Sequence, residues 1–353
     1  MSSGRTTSSS RCLISSWEEF LGWLKGLAEQ DIIYAPDFSG RIRLFNAEEI
    51  SFLPFPFKRS LDNFKCLFFP PRRNLGSPFI LETEPRREAK LVIILGLKAC
   101  DLKALEVLDY VFLGGEEKEE GYEQSRASAV IISSDCEEPG ENCFCLGLGG
   151  SIYPEEGFDL NFSRLSSGRL LIEIGSKKGE EFLAGAGFEC ASEDDLLGRS
   201  QRRREGGRLF EARLKAKGLD FRGIDLRALI EASDKDGFWE KFSERCVECG
   251  ACNFICPSCH CFLLSDWEMR EGVARFQSWD SCQYPGFARV AGGANPRRFR
   301  CQRLRNRYEK KFVFFKERLG GYACTGCGRC IEACAGEIDL REVLKDLRNE
   351  KGI

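Results

Sequence analysis

With 353 residues, 42% of them hydrophobic, the chain has material for about two domains. Lys+Arg 52 against Asp+Glu 55 gives a formal net charge of −3, which argues against nucleic-acid binding through bulk charge. No apolar run approaches the roughly 18 residues of a membrane span, and 19 cysteines without an export signal favour metal ligands in a reducing cytoplasm over disulfides.

The opening MSSGRTTSSSR is polar and Ser-rich, without the apolar h-region of a signal peptide, and a disordered tail is expected over residues 1–15. Residues 17–29 carry apolar positions at helical spacing, and Ser16 with Glu19 forms a capping box in front of them. DIIYAP and GRIRLF read as short strands; FLPFPFKRS and FFPPRR are Pro/Phe-rich loops. AKLVIILGLKAC is a buried strand, and DLKALEVLDYVFLGG the helix after it, closed by glycine. ASAVIISSDC is a second buried strand, and FDLNFSRL-SSG-RLLIEIG a β-hairpin. From about Asp194 to Arg245 the pattern turns helical and charged. The expected architecture is mixed α+β. An α/β domain covers 16–240, and a mostly helical, dicluster ferredoxin-like domain with a long insertion covers 241–353.

The last third repeats one phrase. Cys246, Cys249, Cys252, Cys256-Pro257 and then Cys324, Cys327, Cys330, Cys334 both run C-x2-C-x2-C-x3-C, the bacterial ferredoxin spacing for a [4Fe–4S] cluster. Gly250, Ala251, Gly326 and Gly328 are small enough for the backbone to turn tightly around a cube. In two-cluster ferredoxins the fourth cysteine of each run serves the other cluster. Cys246, Cys249, Cys252 and Cys334 are therefore expected on one cube, and Cys324, Cys327, Cys330 and Cys256 on the other. Structural zinc also uses cysteine pairs, but three thiols at two-residue gaps suit a cube better than a tetrahedron.

Upstream, Cys100 follows the first buried strand and Cys136 the second, and the loop EPGENCFC adds Cys143 and Cys145. Neighbouring strand ends lie close together, so these four thiols are candidates for a third cluster. The competing reading is that they are ordinary buried thiols, as Cys12, Cys66, Cys190 and Cys301 are taken to be. Between the two runs stand Cys259, His260, Cys261 and Cys282. Cys256-x2-Cys259-His260 has the form of a c-type haem attachment motif, but Cys256 is needed by a cube and no export signal accompanies it. His260 is the sole histidine, which excludes a Rieske centre, since that needs two. Cys259, Cys261 and Cys282 either pack beneath a cluster, bind a further metal or form a redox-active pair.

Arg297–Arg318 is the most basic stretch, ten Lys/Arg against two Glu. It reads first as a solvated helix face, and second as a source of cations that raise a cluster's potential and help dock a partner. CLGLGGS lacks the third glycine of G-x-G-x-x-G, and there is no P-loop. FAD or a nicotinamide is accordingly expected on a partner chain.

The strings GLKACDLKALEVLDYVFL, DCEEPGENCFC, CVECGACNFICPSCHCF, SWDSCQYPGFARVAGG and KFVFFKERLGGYACTGCGRCIEAC together resemble one family over roughly residues 90–342. It is the iron–sulfur subunit family shared by anaerobic sulfite reductase and soluble sulfhydrogenase, in the second of which it is the beta subunit. The resemblance implies a non-catalytic, electron-transfer subunit of a cytoplasmic multi-subunit oxidoreductase. Its partners would be a flavoprotein subunit using NAD(P)H and a catalytic subunit of sulfite reductase, hydrogenase or heterodisulfide reductase type. The eight cysteines of the two runs carry over as ligands. The chain departs from the family pattern at Ala335 and Ala99, where proline is expected, and at His260, where an aromatic residue is expected. Two other functions compete: a sulfur- or disulfide-reducing subunit using Cys259, Cys261 and Cys282, and a nucleic-acid enzyme with a structural cluster.

Overall fold

The computed structural model describes residues 11–76, 91–233, 237–270, 272–350 and 352. Its first strand is β1 (Cys12–Ser15), followed by helix α1 (Trp17–Leu27), β2 (Ile32–Pro36), β3 (Ile42–Phe45) and β4 (Arg72–Asn74). Then come β5 (Val92–Leu97), α2 (Ala99–Leu113), α3 (Glu120–Ser128), β6 (Ala129–Ser134), β7 (Leu160–Arg164) and β8 (Leu170–Ile174). After α4 (Lys177–Phe182) and β9 (Glu189–Cys190) the chain enters α5 (Glu193–Ala216), α6 (Leu226–Glu231), α7 (Phe238–Ser243) and α8 (Ala251–Phe254). A hairpin, β10 (Phe262–Met269) and β11 (Gly272–Trp279), precedes α9 (Arg300–Glu309), α10 (Lys316–Leu319), α11 (Arg329–Glu332) and α12 (Leu340–Glu350). The structure is thus mixed α and β, with a large sheet.

Eight strands form that sheet in the order β3-β2-β5-β6-β7-β8-β1-β9. The central strands β2, β5, β6 and β7 run parallel, and antiparallel strands flank them. β5 and β6 are buried almost throughout, the pattern of parallel strands covered on both faces. Phe20 and Leu24 of α1 pack with Ile33, Ile93, Leu95 and Ile132 on one face. Leu102, Leu105 and Leu108 of α2 pack with Ile94, Leu97 and Ile131 on the other. Each such side chain, fully buried, contributes about 1.5–3 kcal/mol. The capping box of Ser16 and Glu19 fixes the start of α1, as its sequence predicts.

The expected tail drawn to residue 15 needs correction. Cys12–Ser15 pair with Leu170–Glu173 of β8, because Cys12 and Ile14 are apolar and fill a small core with Leu165 and Leu171. Residues 1–10 lie outside the described residues. The insertion between the cysteine runs contains the β10–β11 hairpin, and β11 also pairs with β4 far upstream. One core joins Phe144 and Ile152 to Phe210, Tyr308, Phe312 and Leu344, so it draws on both sides of residue 240.

Candidate metal centres

The parallel sheet delivers the upstream thiols. α/β sheets place their sites beyond the carboxyl ends of their strands, and Cys100 and Cys136 stand there, after β5 and β6. The β5–β6 register shifts between Leu95 and Leu97, at Gly96 with φ +86°. A side chain at Gly96 would strike Pro36 at 2.9 Å. Beyond this irregularity Lys98 turns inward and donates to Ser134 Oγ and the Asp135 carbonyl, both at 2.8 Å, tying the two strand ends together.

Cys143 and Cys145 sit in a loop whose carbonyls are held by arginines from elsewhere. Arg213 of α5 donates to the Pro139 and Gly140 carbonyls at 3.0 Å. Arg341 of α12 donates to the Glu141 carbonyl at 2.9 Å and to Asn142 Oδ1 at 2.8 Å. Phe144 leaves the extended conformation, with φ −147° and ψ 26°, and this bend lets two thiols one residue apart serve one side. The four upstream residues are linked as electrostatic neighbours: burial, opposed by Arg59 and aided by Cys136, holds the Cys143 thiol up at about 11. Burial likewise raises Cys145, with Cys143 and Cys136 as neighbours, and Cys100, with Cys145 among its neighbours.

This loop lies directly on the second ferredoxin-type run. The Phe144 N–H donates to the Gly326 carbonyl at 2.8 Å, and Cys143 Sγ approaches the Cys327 carbonyl at 3.5 Å. Gly326 and Gly328 have φ +68° and +78°. A Cβ on Gly326 would sit 2.5 Å from Cys145 Cα, and one on Gly328 would sit 2.6 Å from the Asn142 carbonyl carbon. Both glycines are therefore required twice, for their backbone conformation and for the contact. Arg329, fully buried on α11, donates to Asp101 at 2.7 Å and to Ser60 Oγ at 2.8 Å, locking the second run to the start of α2.

Within the ferredoxin-type runs the neighbours are crossed. Burial raises Cys246, and Cys334 of the other run raises it further, ahead of Cys249. Burial pushes Cys252 up to about 12, with Cys246 and Cys330 nearby. Burial also raises Cys324, beside Cys330, Cys256 and Cys327. Cys256 is thus among the thiols of the second run, and Cys334 beside the first. Among the described residues, no three His, Cys, Asp or Glu groups converge closely enough to hold a single metal ion. Thiolates on separate irons of a cube have no need to.

The surroundings fit anionic clusters. Buried thiols resist ionisation, so ligand thiolates need positive charge close by. Arg303, Arg307 and Lys311 are all buried at four-residue spacing, one face of the helical stretch beginning with α9. Arg303 pairs with Glu248 inside the first run. Arg307 neighbours Cys252 and Cys330, and its Nε is buried without a partner. Arg59, beside Cys143 and paired to Glu332 at 2.6 Å, also has a buried, unpartnered Nε. The basic stretch is therefore partly turned inward, and its four-residue spacing carried that information. The buried Lys65, Lys98, Arg59 and Arg329 are scattered through the sequence, and no local signal marks them.

The remaining insertion residues stand beside these sites. Cys259 neighbours Cys256, and Cys261 neighbours Cys282. His260 has ring neighbours Phe315 at 5.8 Å and Phe112 at 6.4 Å. Burial, with Lys311 and Lys310 close by, pushes it down to about 4, so at neutral pH it is an uncharged ring in an aromatic setting.

The comparisons agree with this chemistry. Residues 245–338 match the model of the 4Fe-4S dicluster domain. Over 336 residues the chain is 31% identical to sulfhydrogenase 2 subunit beta of Pyrococcus furiosus, covering 94% of this chain and 96% of that protein. No solved structure matches it. Near-complete coverage at this identity places the chain in the iron–sulfur family of the sulfhydrogenase beta subunit.

Proposed function

We propose that the chain is the iron–sulfur electron-transfer subunit of a sulfhydrogenase-type complex, with twelve cysteines arranged for three [4Fe–4S] clusters. Cys246, Cys249, Cys252 and Cys334 hold the first, Cys324, Cys327, Cys330 and Cys256 the second, and Cys100, Cys136, Cys143 and Cys145 the third. When bound, such clusters supply one-electron transfer. The chain's residues supply the rest: thiolate ligands, buried cations that favour the reduced state, and a packed core that limits water. The observation that carries the reading is the contact of the loop at Phe144 with the second run at Gly326. It supports assigning the upstream thiols to a site beside the second run, and Cys252 of the first run neighbours Cys330 of the second. On this assignment the second set comes between the other two in order of neighbours, a line of transfer of the kind a relay needs. A cytoplasmic complex, with a flavoprotein on one end of the line and a catalytic redox subunit on the other, completes the proposal. No helix among the described residues is long and apolar enough to cross a membrane.

The test is dependence on a flavoprotein. Anaerobically reconstituted chain mixed with NADH or NADPH should keep its visible absorption, and bleach only when an NAD(P)H-oxidising flavoprotein is added. Stoichiometric FAD retained by the isolated chain, or direct bleaching by NADPH, would overturn it.

A further inference from the structure

Cys261 and Cys282 are outside the twelve thiols assigned above, and the β10–β11 hairpin brings them together. Phe262 pairs with Trp279 across the strands, and the Asp280 N–H donates to the Cys261 carbonyl at 3.0 Å. The chain then turns, and Cys261 and Cys282 come to line one small cavity. Cys259 stands on the same cavity and accepts from Asn253 Nδ2 at the longer distance of 3.7 Å. Cys282 is only 2% exposed, yet two buried amides are aimed at its sulfur. Asn253 Nδ2 donates to it at 3.2 Å and Gln283 Nε2 at 3.5 Å. Asn253 Oδ1 accepts from Ser281 Oγ at 3.2 Å, which fixes the amide with its N–H side toward the sulfur. Amide donors stabilise a thiolate, as does the neighbouring Lys310. That cavity, of about 20 Å³, is lined also by Cys259, His260, Lys310 and Phe315, with room for about one water. Cys261 is half-buried and is the outer member of the pair.

We propose that Cys261 and Cys282 are a redox-active dithiol that exchanges with low-molecular-mass disulfides and closes to an intramolecular disulfide. In the singly ionised pair the amide-held Cys282 thiolate takes the Cys261 proton as the Cys261 sulfur attacks one sulfur of a disulfide RSSR, forming a mixed disulfide and releasing RS⁻. Cys282 loses its proton to the released thiolate, and its sulfur attacks Cys261 Sγ, expelling the second RS⁻. In sum the pair gives up one proton and two electrons, and RSSR becomes one RSH and one RS⁻. Cys282, beneath the surface and held by Asn253 and Gln283, is the resolving partner. The pair stands whether or not the twelve other thiols hold iron.

Full-length reconstituted protein should be equilibrated anaerobically in reduced and oxidised glutathione at a series of ratios, quenched in acid and alkylated under denaturing conditions. Peptide mapping should show a Cys261–Cys282 disulfide that rises in one two-electron transition. Cys261→Ser and Cys282→Ser should each abolish it while leaving iron content and the visible spectrum unchanged. Full alkylation of both thiols at every ratio would overturn the proposal. So would loss of iron from either variant, which would make the thiols ligands of another centre.

Discussion

Arg303, Arg307 and Lys311 show how single residues set the electrical character of the site. All three are buried, one helical turn apart, and Arg307 has an electrostatic neighbour in each run, Cys252 and Cys330. A cation beside a cluster stabilises the reduced, more negative state. Arg307→Leu should therefore lower the potentials of both centres. A loss of about 1.4 kcal/mol of attraction moves a one-electron potential by about 59 mV. Redox titration followed by electron paramagnetic resonance measures it, with exposed Arg298→Leu as the control that should leave both potentials in place. Unchanged potentials in Arg307→Leu would remove the electrostatic role. Cys256 carries a second test at this scale. Crossed ligation means that Cys256→Ser should alter the signal of the centre held by Cys324, Cys327 and Cys330. A change confined to the centre of Cys246, Cys249 and Cys252 would show that each run serves its own cluster.

At the scale of elements, the decisive contact is the loop after β6 against the second cysteine run. Gly326→Ala forces a Cβ to within 2.5 Å of Cys145 Cα and keeps a left-handed backbone that costs about 1–2 kcal/mol without glycine. It should displace the upstream loop and lower iron retention, while Gly149→Ala, with nothing within 4 Å of its Cβ, should only carry the backbone penalty. Equal iron in the two variants would separate the loop from the site. Arg329 tests the same contact energetically. Its pair with Asp101 is fully buried, and removing one partner of such a pair costs about 3–5 kcal/mol. Arg329→Leu should show that loss in thermal or denaturant unfolding. Much of this level was legible in the sequence, because local rules decide it: the capping box at Ser16, the continuous apolar runs of β5 and β6, the hairpin at 160–174. The two cysteine runs were legible because cluster ligation is spaced along the chain. What local rules do not encode stayed hidden. β1 forms because a distant strand, β8, offers Cys12 and Ile14 an apolar partner. The pairing of β11 with β4, and the arginines that hold the loop at 139–142, are likewise long-range choices.

For the whole molecule the question is whether the sheet domain is a scaffold or part of the relay. Its parallel strands end where Cys100 and Cys136 stand, and the loop bearing Cys143 and Cys145 leans on Gly326 and Gly328 of the ferredoxin-type module. Buried positive charge accompanies the join, from Lys98, Arg59 and Arg329. Lys98 is held at the ends of β5 and β6 by neutral acceptors, Ser134 Oγ and a carbonyl. Arg59 and Arg329 are paired with Glu332 and Asp101, whereas the hydrogen bonds of Lys98 go to neutral groups, and burying an incompletely compensated charge is costly. On the proposed assignment a third cluster at Cys136 would add negative charge beside Lys98. At four irons per cube, fully reconstituted protein should then carry about twelve irons per chain, against about eight for the two runs alone. Cys136→Ala should lower the count by about four while leaving the signals of the other two centres in place. A count near eight that Cys136→Ala does not change would make the upstream thiols ordinary residues of the core, and end the relay at the second run.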